Sequence, residues 1–283
     1  MSSLLPTLTI GVISIGTPWF DLPTAKRHLA DTRESLQSLG DLVGPDDVIV
    51  WDQDLTPATE QLVQARPDVL IMQVGTFPIG DAPALLAQAL RIPIVIHSLP
   101  EPDIEQAVGL NSLCGANMAG YTLTALECPY TWVHGAPSDT GIQRKLKAHI
   151  LAVRALKALR ETRLHLLGSR APGFYPCAFD EMLLRKTLGV GVDHIGLHTL
   201  ASRLEQNVSK SYPGPDKLPA IGGGHLPDEG KPQMERYYGS LSAVIEEHQT
   251  RLMAVKDWPE FYDAEAAGGF WPALGWIQDD DVV

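Results

Sequence analysis

Short apolar segments alternate with helical patterns along the first half of the chain. Each segment is bounded by Gly, Pro or Asp and is rich in β-branched residues, as expected for buried parallel strands. Strands are predicted at residues 8–15, 48–51, 69–74, 92–97 and 130–133.

Helical patterns fill the intervals between several of these strands. Apolar residues recur at helical spacing over 25–39, before Gly40, and again over 82–90. The long connection 98–129 is predicted to hold its own helix after Gly115. Strand alternating with helix indicates βαβ units, and therefore a parallel sheet with helices on both faces.

A long amphipathic helix follows the fifth strand and is predicted to bridge two domains. Its apolar stripe begins at Ile142, and its N-cap is either Ser138 or Asp139. The strand and helix pattern then restarts, which predicts an α/β fold with two doubly wound parallel-sheet domains, at 1–160 and 161–283.

The second domain is predicted to contain three strands and two helices. The strands are 163–167, 190–195 and 252–255, and the helices are 179–188 and 234–248. Residues 213–232 are rich in Pro and Gly and are predicted to form a surface loop.

Charge and composition exclude several classes of partner. The chain carries 22 Lys and Arg against 34 Asp and Glu, a net charge of −12, which argues against nucleic-acid and anionic-membrane binding. No long apolar run or secretory signal is recognisable, so the expected location is the cytoplasm. The three cysteines, Cys114, Cys128 and Cys177, are expected to be free thiols.

Common cofactor and nucleophile motifs do not match. Gly11 and Gly16 lack the spacing of a dinucleotide fingerprint, and no Gly-x-Ser-x-Gly elbow occurs. His194 and His198 have the helical spacing of a shared metal site, but the intervening Gly196 favours a strand that runs into a loop. These histidines are therefore predicted to be structural.

Three polar segments follow the carboxyl ends of predicted strands, where open α/β sheets bind ligands. They are predicted to be loops, and turn or helix-cap chemistry explains them as well as substrate binding does. The candidate substrate-binding residues are Trp19, Phe20, Asp21, Asn111, Ser112, Cys114, Arg170 and Phe174. Cys114 is expected to be accessible if its segment faces substrate, and inert if it is a buried apolar residue.

These segments resemble the N-terminal region of the L-fucose and L-arabinose isomerase superfamily, above all its shorter L-fucose isomerase-like members. Asp257 stands where the family typically has Cys before Trp-Pro. The matching motifs are Phe-Asp at 20–21, Ser-Leu-Cys-Gly at 112–115, Pro-Gly-Phe at 172–174, Phe-Asp-Glu-Met-Leu-Leu-Arg at 179–185 and Trp-Pro at 258–259.

The resemblance implies two flavodoxin-like domains from a longer aldose-ketose isomerase, with the catalytic C-terminal β-rich domain of the family absent. It also implies that the second domain is truncated at its C-terminal end. In the family that missing region carries the acidic residues that bind Mn²⁺. No catalytic or metal-ligating residue, and no cofactor, is therefore expected in this chain, which should be inactive alone.

Two further expectations follow from the resemblance, and two alternatives stay open. The chain is expected to form a homo-oligomer that shares its sugar substrate between subunits, helped by an incompletely buried aromatic tail at 261–276. The alternatives are an intracellular sugar-binding module and a non-catalytic oligomerisation fragment.

Overall fold

The computed structural model describes residues 6–78, 81–103, 105, 107–211, 230–261 and 264–279. The chain divides into two compact units, Met1–Ala158 and Leu159–Val283. No helix in the described ranges is long and apolar enough to cross a membrane.

The first unit is built on a parallel sheet with the strand order β2-β1-β4-β5-β6, and β3 also pairs with β1. This is a flavodoxin-like order in which β2 and β3 share the edge position beside β1. The strands are β1 (Thr9–Ile15), β2 (Asp41–Val43), β3 (Val48–Ile49), β4 (Val69–Val74), β5 (Ile94–Ser98) and β6 (Tyr130–His134).

Helices pack on both faces of this sheet. Leu8, Ile10 and Val12 face one apolar cluster with α1 and α5, whereas Ile13 and Ile15 face another with α2, α3 and α4. The helices are α1 (Leu22–Leu36), α2 (Asp52–Ala65), α3 (Ala82–Leu90), α4 (Ser112–Ala125) and α5 (Thr140–Arg160).

The second unit has a smaller parallel sheet with the order β8-β7-β9. The predicted α/β class with parallel sheets is therefore confirmed in both units. Its strands are β7 (Arg163–Leu167), β8 (Gly191–Ile195) and β9 (Leu252–Val255), and its α-helices are α6 (Glu181–Leu188), α7 (Leu197–Glu205), α8 (Lys231–His248) and α9 (Ala264–Asp279).

The two faces of the second sheet differ in how well they are covered. Leu167 and Ile195 pack on one face against α7, α8 and α9 in a dense core. On the other face Leu164 and Leu166 are only half-buried, and α6 contributes no buried residue. Parallel sheets are normally covered on both faces, so this open face exposes apolar surface at a cleft.

Several predicted elements are wrong in detail. Helices α2, α7 and α9 lie where no helix was predicted, and the strand predicted at 48–51 ends at Ile49 because Trp51 is the N-cap of α2. Residues 213–229 of the predicted loop lie outside the described residues, and Pro232 lies in the first turn of α8.

The aromatic tail is also buried to a greater extent than expected. Phe270 is fully buried and Trp276 nearly so, since both pack in the core formed by α8 and α9. Only Trp271 of the tail remains largely exposed in the described part of α9. The tail therefore belongs to the core of the second unit, and its aromatic residues are no argument for self-association.

Candidate functional site

The loops that follow β1 and β4 are fixed to each other at the carboxyl edge of the first sheet. The Thr76 hydroxyl accepts the Thr17 N–H at 2.8 Å and donates to the Thr17 carbonyl at 3.2 Å. The N–H groups of Asp21 and Phe77 donate to the carbonyls of Gly109 and Leu110, each at 2.9 Å. The predicted segment 19–21 is therefore joined by a backbone hydrogen bond to Gly109, which lies just before the predicted segment 111–115.

The first of these segments divides into a helix cap and an exposed aromatic residue. One Asp21 carboxylate oxygen accepts the Thr24 N–H at 3.0 Å and the other accepts the Thr24 hydroxyl at 2.5 Å. The same hydrogen bonds hold the pKa of the Asp21 carboxyl below its usual value. Trp19 is 74% exposed, and the Phe20 ring lies 6.4 Å from that of Phe77. Asp21 therefore serves as the N-cap of α1, whereas the side chain of Trp19 is accessible to a ligand.

The second segment is held by one carboxylate and one buried hydroxyl. Glu101 accepts the N–H groups of Gly109, Leu110 and Asn111 at 2.7–2.9 Å. The Ser112 hydroxyl donates to the Val74 carbonyl and accepts the Leu99 N–H at 2.8 Å. Ser112 is fully buried and therefore holds α4 against the sheet, whereas Asn111 precedes the helix with a positive φ of 52°.

Cys114 is exposed, so it is not the buried apolar residue of the alternative interpretation. The loop prediction for its segment is wrong, because Ser112 to Gly115 form the first turn of α4. Glycine at position 115 lets this turn pack against β4 and the loop after it, because a Cβ there would lie 2.5 Å from a Pro78 carbon.

A cleft of about 900 Å³ lies beside the open face of the second sheet. Leu166, His194 and Ala254 share one row of its floor, because they are paired across β7, β8 and β9. The segment after β7 and the residues after β9 form its walls. Ligands of open α/β sheets bind beyond the carboxyl ends of the strands, and this cleft opens there.

Both predicted residues of the second unit line this cleft. Phe174 pairs with Trp258, with ring centroids 5.7 Å apart, and the two rings are 50% and 37% exposed. The Arg170 guanidinium lies 5.0 Å from the centre of the Tyr175 ring and donates to the Ala171 carbonyl at 3.3 Å. Among the described residues Arg170 has no carboxylate partner, so its charge is available to a ligand.

The cleft also contains polar groups that were not on the list of candidates. His194 Nε2 lies 2.8 Å from Glu181 Oε1, and the two side chains are 58% and 48% exposed. Lys256 binds Glu260 at 2.6 Å, and Asp257 lies beside it on the wall. His194 is thus exposed and paired in the cleft, whereas His198 lies in the first turn of α7, not in a loop.

The position of His194 could not be found from its spacing to His198. Its partner Glu181 lies 13 residues earlier, at the start of α6, and the pair forms only because α6 returns beside β8. Within the described ranges, no three His, Cys, Asp or Glu side chains are grouped as a metal site.

Three relatives named sulfoquinovose isomerase are similar to most of this chain. The protein of Priestia megaterium is 23% identical over 258 residues, which are 90% of this chain and 58% of the relative. Those of Alkalicoccus urumqiensis and Clostridium sp. are each 24% identical, over 283 and 263 residues, and cover 98% and 90% of this chain. The chain spans 58–62% of the length of these relatives.

No family model matches the chain. One solved structure is similar, that of UDP-N-acetylglucosamine 2-epimerase from Rickettsia bellii, with 14% sequence identity and a TM-score of 0.26. The similar region includes 81% of this chain and 72% of the epimerase chain. This likeness is too weak to support an argument. At least nine tenths of this chain is therefore similar in sequence to isomerases that are named for a sugar.

Proposed function

We propose that this chain is the sugar-binding portion of an aldose-ketose isomerase related to the L-fucose and L-arabinose isomerases. The observation that carries the proposal is the cleft of the second unit, which combines an exposed aromatic pair with a ring of charged side chains. The similarity to sulfoquinovose isomerases supports a sugar as its ligand.

The chemistry of the cleft suits a carbohydrate. The C–H face of a sugar ring is apolar and packs against aromatic faces such as those of Phe174 and Trp258. The hydroxyl groups at the ring edge need charged or polar partners, which Asp257 and Lys256 supply. Arg170 offers a planar guanidinium to an anionic substituent such as the sulfonate of sulfoquinovose.

We propose further that the first unit completes the site of another subunit in a homo-oligomer. Trp19 and Cys114 are exposed near the carboxyl edge of the first sheet and are free to contact a sugar held elsewhere. Asp21 supports its segment as the N-cap of α1, and Ser112 supports the other through its hydrogen bonds to Val74 and Leu99.

Manganese is the metal of the family that the sequence resembles, but the described donor set does not fit it. Glu181 is engaged by His194 and Glu260 by Lys256, and these carboxylates are not joined by a third ligand. We therefore expect the chain by itself to bind sugar without interconverting aldose and ketose.

Calorimetric titration of the chain with sulfoquinovose, D-glucose and L-fucose tests the proposal. We expect saturable binding, tightest for sulfoquinovose, and a loss of about fivefold or more in affinity for Trp258→Ala and Phe174→Ala, since each removes an aromatic contact of about 1 kcal/mol or more.

The matched control is Tyr121→Ala, which removes an aromatic side chain that is 76% exposed on α4 and lies far along the sequence from the cleft. Equal losses in the control and in Trp258→Ala, or no saturable binding of any of the three sugars, would count against the cleft as a sugar site.

A further inference from the structure

Sugar binding alone leaves the His194–Glu181 pair of the cleft unused. Its two side chains come from β8 and α6, and both face the cleft. Asp180 fixes the start of α6, because its carboxylate accepts the N–H groups of Met182 and Leu183 at 2.8 and 3.0 Å. Glu181 is thereby placed on a capped helix turn beside the strand that carries His194.

The pairing determines which nitrogen of the imidazole can act as a base. An ionised carboxylate is an acceptor only, so Nε2 carries the proton that is donated to Glu181. In the neutral ring the lone pair then lies on Nδ1. A carboxylate on the far nitrogen also stabilises the imidazolium that forms when Nδ1 takes up a proton.

From this geometry we infer that the chain catalyses the ring opening of an aldose in the cleft, with His194 as the catalytic base and Glu181 as its positioning residue. The inference rests on the proposed function, since it needs a sugar in this cleft. It assigns an activity, the interconversion of α and β anomers, that does not need a metal-binding domain.

The step balances with water as the only other reactant. His194 Nδ1 takes the proton of the anomeric hydroxyl, and the O–H electron pair becomes the C1=O1 π bond. The C1–O5 bond breaks, its electron pair goes to O5, and O5 takes a proton from a water molecule. The hydroxide left behind recovers the proton from the imidazolium, and ring closure on either face of C1 gives either anomer.

Exchange NMR on sulfoquinovose at anomeric equilibrium measures this activity directly. We expect the chain to speed α–β interconversion by about 100-fold or more over buffer, which is the usual range for a positioned acid or base. His194→Gln should abolish the acceleration while leaving the calorimetric affinity within about twofold.

Glu181→Gln separates a positioning role from a structural one. It keeps the size of the side chain but removes the charge, so the acceleration should fall at unchanged affinity. The ¹⁵N shifts of the His194 ring should move away from the Nε2–H tautomer. His198→Gln, which changes the other histidine of this region, should leave both rate and tautomer as they are.

The outcomes are distinguishable. Binding without acceleration, or acceleration that survives His194→Gln, overturns the ring-opening inference and leaves the sugar site standing. Absence of binding to a chain that is folded by circular dichroism overturns the sugar site and the inference with it.

Discussion

Gln73 and His97 lie opposite each other on β4 and β5, and both are fully buried. Ser14 continues the row on β1, so a polar row crosses three strands where the sheet core would otherwise be apolar. The Gln73 amide donates to the Thr32 hydroxyl of α1 at 2.8 Å, and His97 Nε2 donates to the Gly135 carbonyl at 3.0 Å. The row therefore ties the sheet to α1 and to the loop after β6.

Burial lowers the pKa of His97 from 6.5 to about 4, chiefly through desolvation, so the folded state holds this ring neutral. The unfolded chain takes up a proton as pH falls below about 6.5, and the folded chain does so only near 4. Stability is therefore lost across that window, by up to roughly 3 kcal/mol.

Urea unfolding at pH 7 and pH 4.5 checks this prediction. His28 and His165 also have pKa values lowered by burial and act in the same direction, so the comparison is made with His97→Gln. Between pH 7 and pH 4.5, the free energy of unfolding should fall by about 2 kcal/mol more in the wild-type chain than in the variant. Equal losses would show that His97 is not the group that titrates.

Replacing Asp21 tests whether this predicted substrate residue is structural. Asp21→Ala removes the acceptor for Thr24 and should lower the stability of the first unit by about 1 kcal/mol, the usual cost of a lost N-cap. The control is Glu34→Ala, an exposed position on the same helix. Amide exchange at the start of α1 should quicken in the first variant only.

Gly44 is a position where the backbone requires glycine. Its φ is +117°, and a Cβ there would lie 2.2 Å from the Val12 carbonyl oxygen. Gly44→Ala should destabilise the β1–β2 pairing by roughly 2 kcal/mol or more, measured as faster amide exchange in β1. Gly173→Ala is the matched control, because Gly173 also has a positive φ of 79° but nothing within 4 Å of the added Cβ.

The cysteines should differ in reactivity in the native protein. Cys114 is exposed, whereas Cys128 is partly buried with its pKa raised by desolvation. In variants that retain one cysteine each, labelling of Cys114 should be at least about tenfold faster, because a raised pKa lowers the thiolate fraction. A Cys114 that reacts only as fast as the protein unfolds would contradict its exposed position.

The strands other than β2 were predictable from sequence, whereas β2 and three of the helices were not. The apolar β-branched runs of β1, β4 and β7 need no partner to be recognised, and they fall within one residue of the predicted bounds. Helix α2 does carry a helical stripe at Leu55, Ala58 and Leu62, which Pro57 obscures. Helix α9 contains Pro272, a residue that argues against a helix in the sequence, and its aromatic residues are recognised as core only because they pack with α8.

The candidate site was predictable in position and less so in chemistry. Arg170 and Phe174 follow β7 and do line the cleft, because ligand sites of parallel sheets collect at the carboxyl ends of strands. Whether Asp21 or Ser112 is free for a ligand depends on hydrogen bonds to particular neighbours, which the sequence alone does not reveal. The partner of His194 depends likewise on how α6 lies beside β8.

The reciprocal hydrogen bonds between Thr17 and Thr76 have a mechanical consequence. A loop held by a single hydrogen bond can rotate about it. Because the Thr76 hydroxyl both accepts from and donates to the backbone of Thr17, the two loops resist sliding and twisting relative to each other. A displacement of the chain at the exposed Trp19 is then passed along the backbone to Thr17, across these hydrogen bonds to Thr76, and through the Phe77 N–H to the carbonyl of Leu110 before α4. The tips of three separate connections at this edge therefore respond to contact as one body.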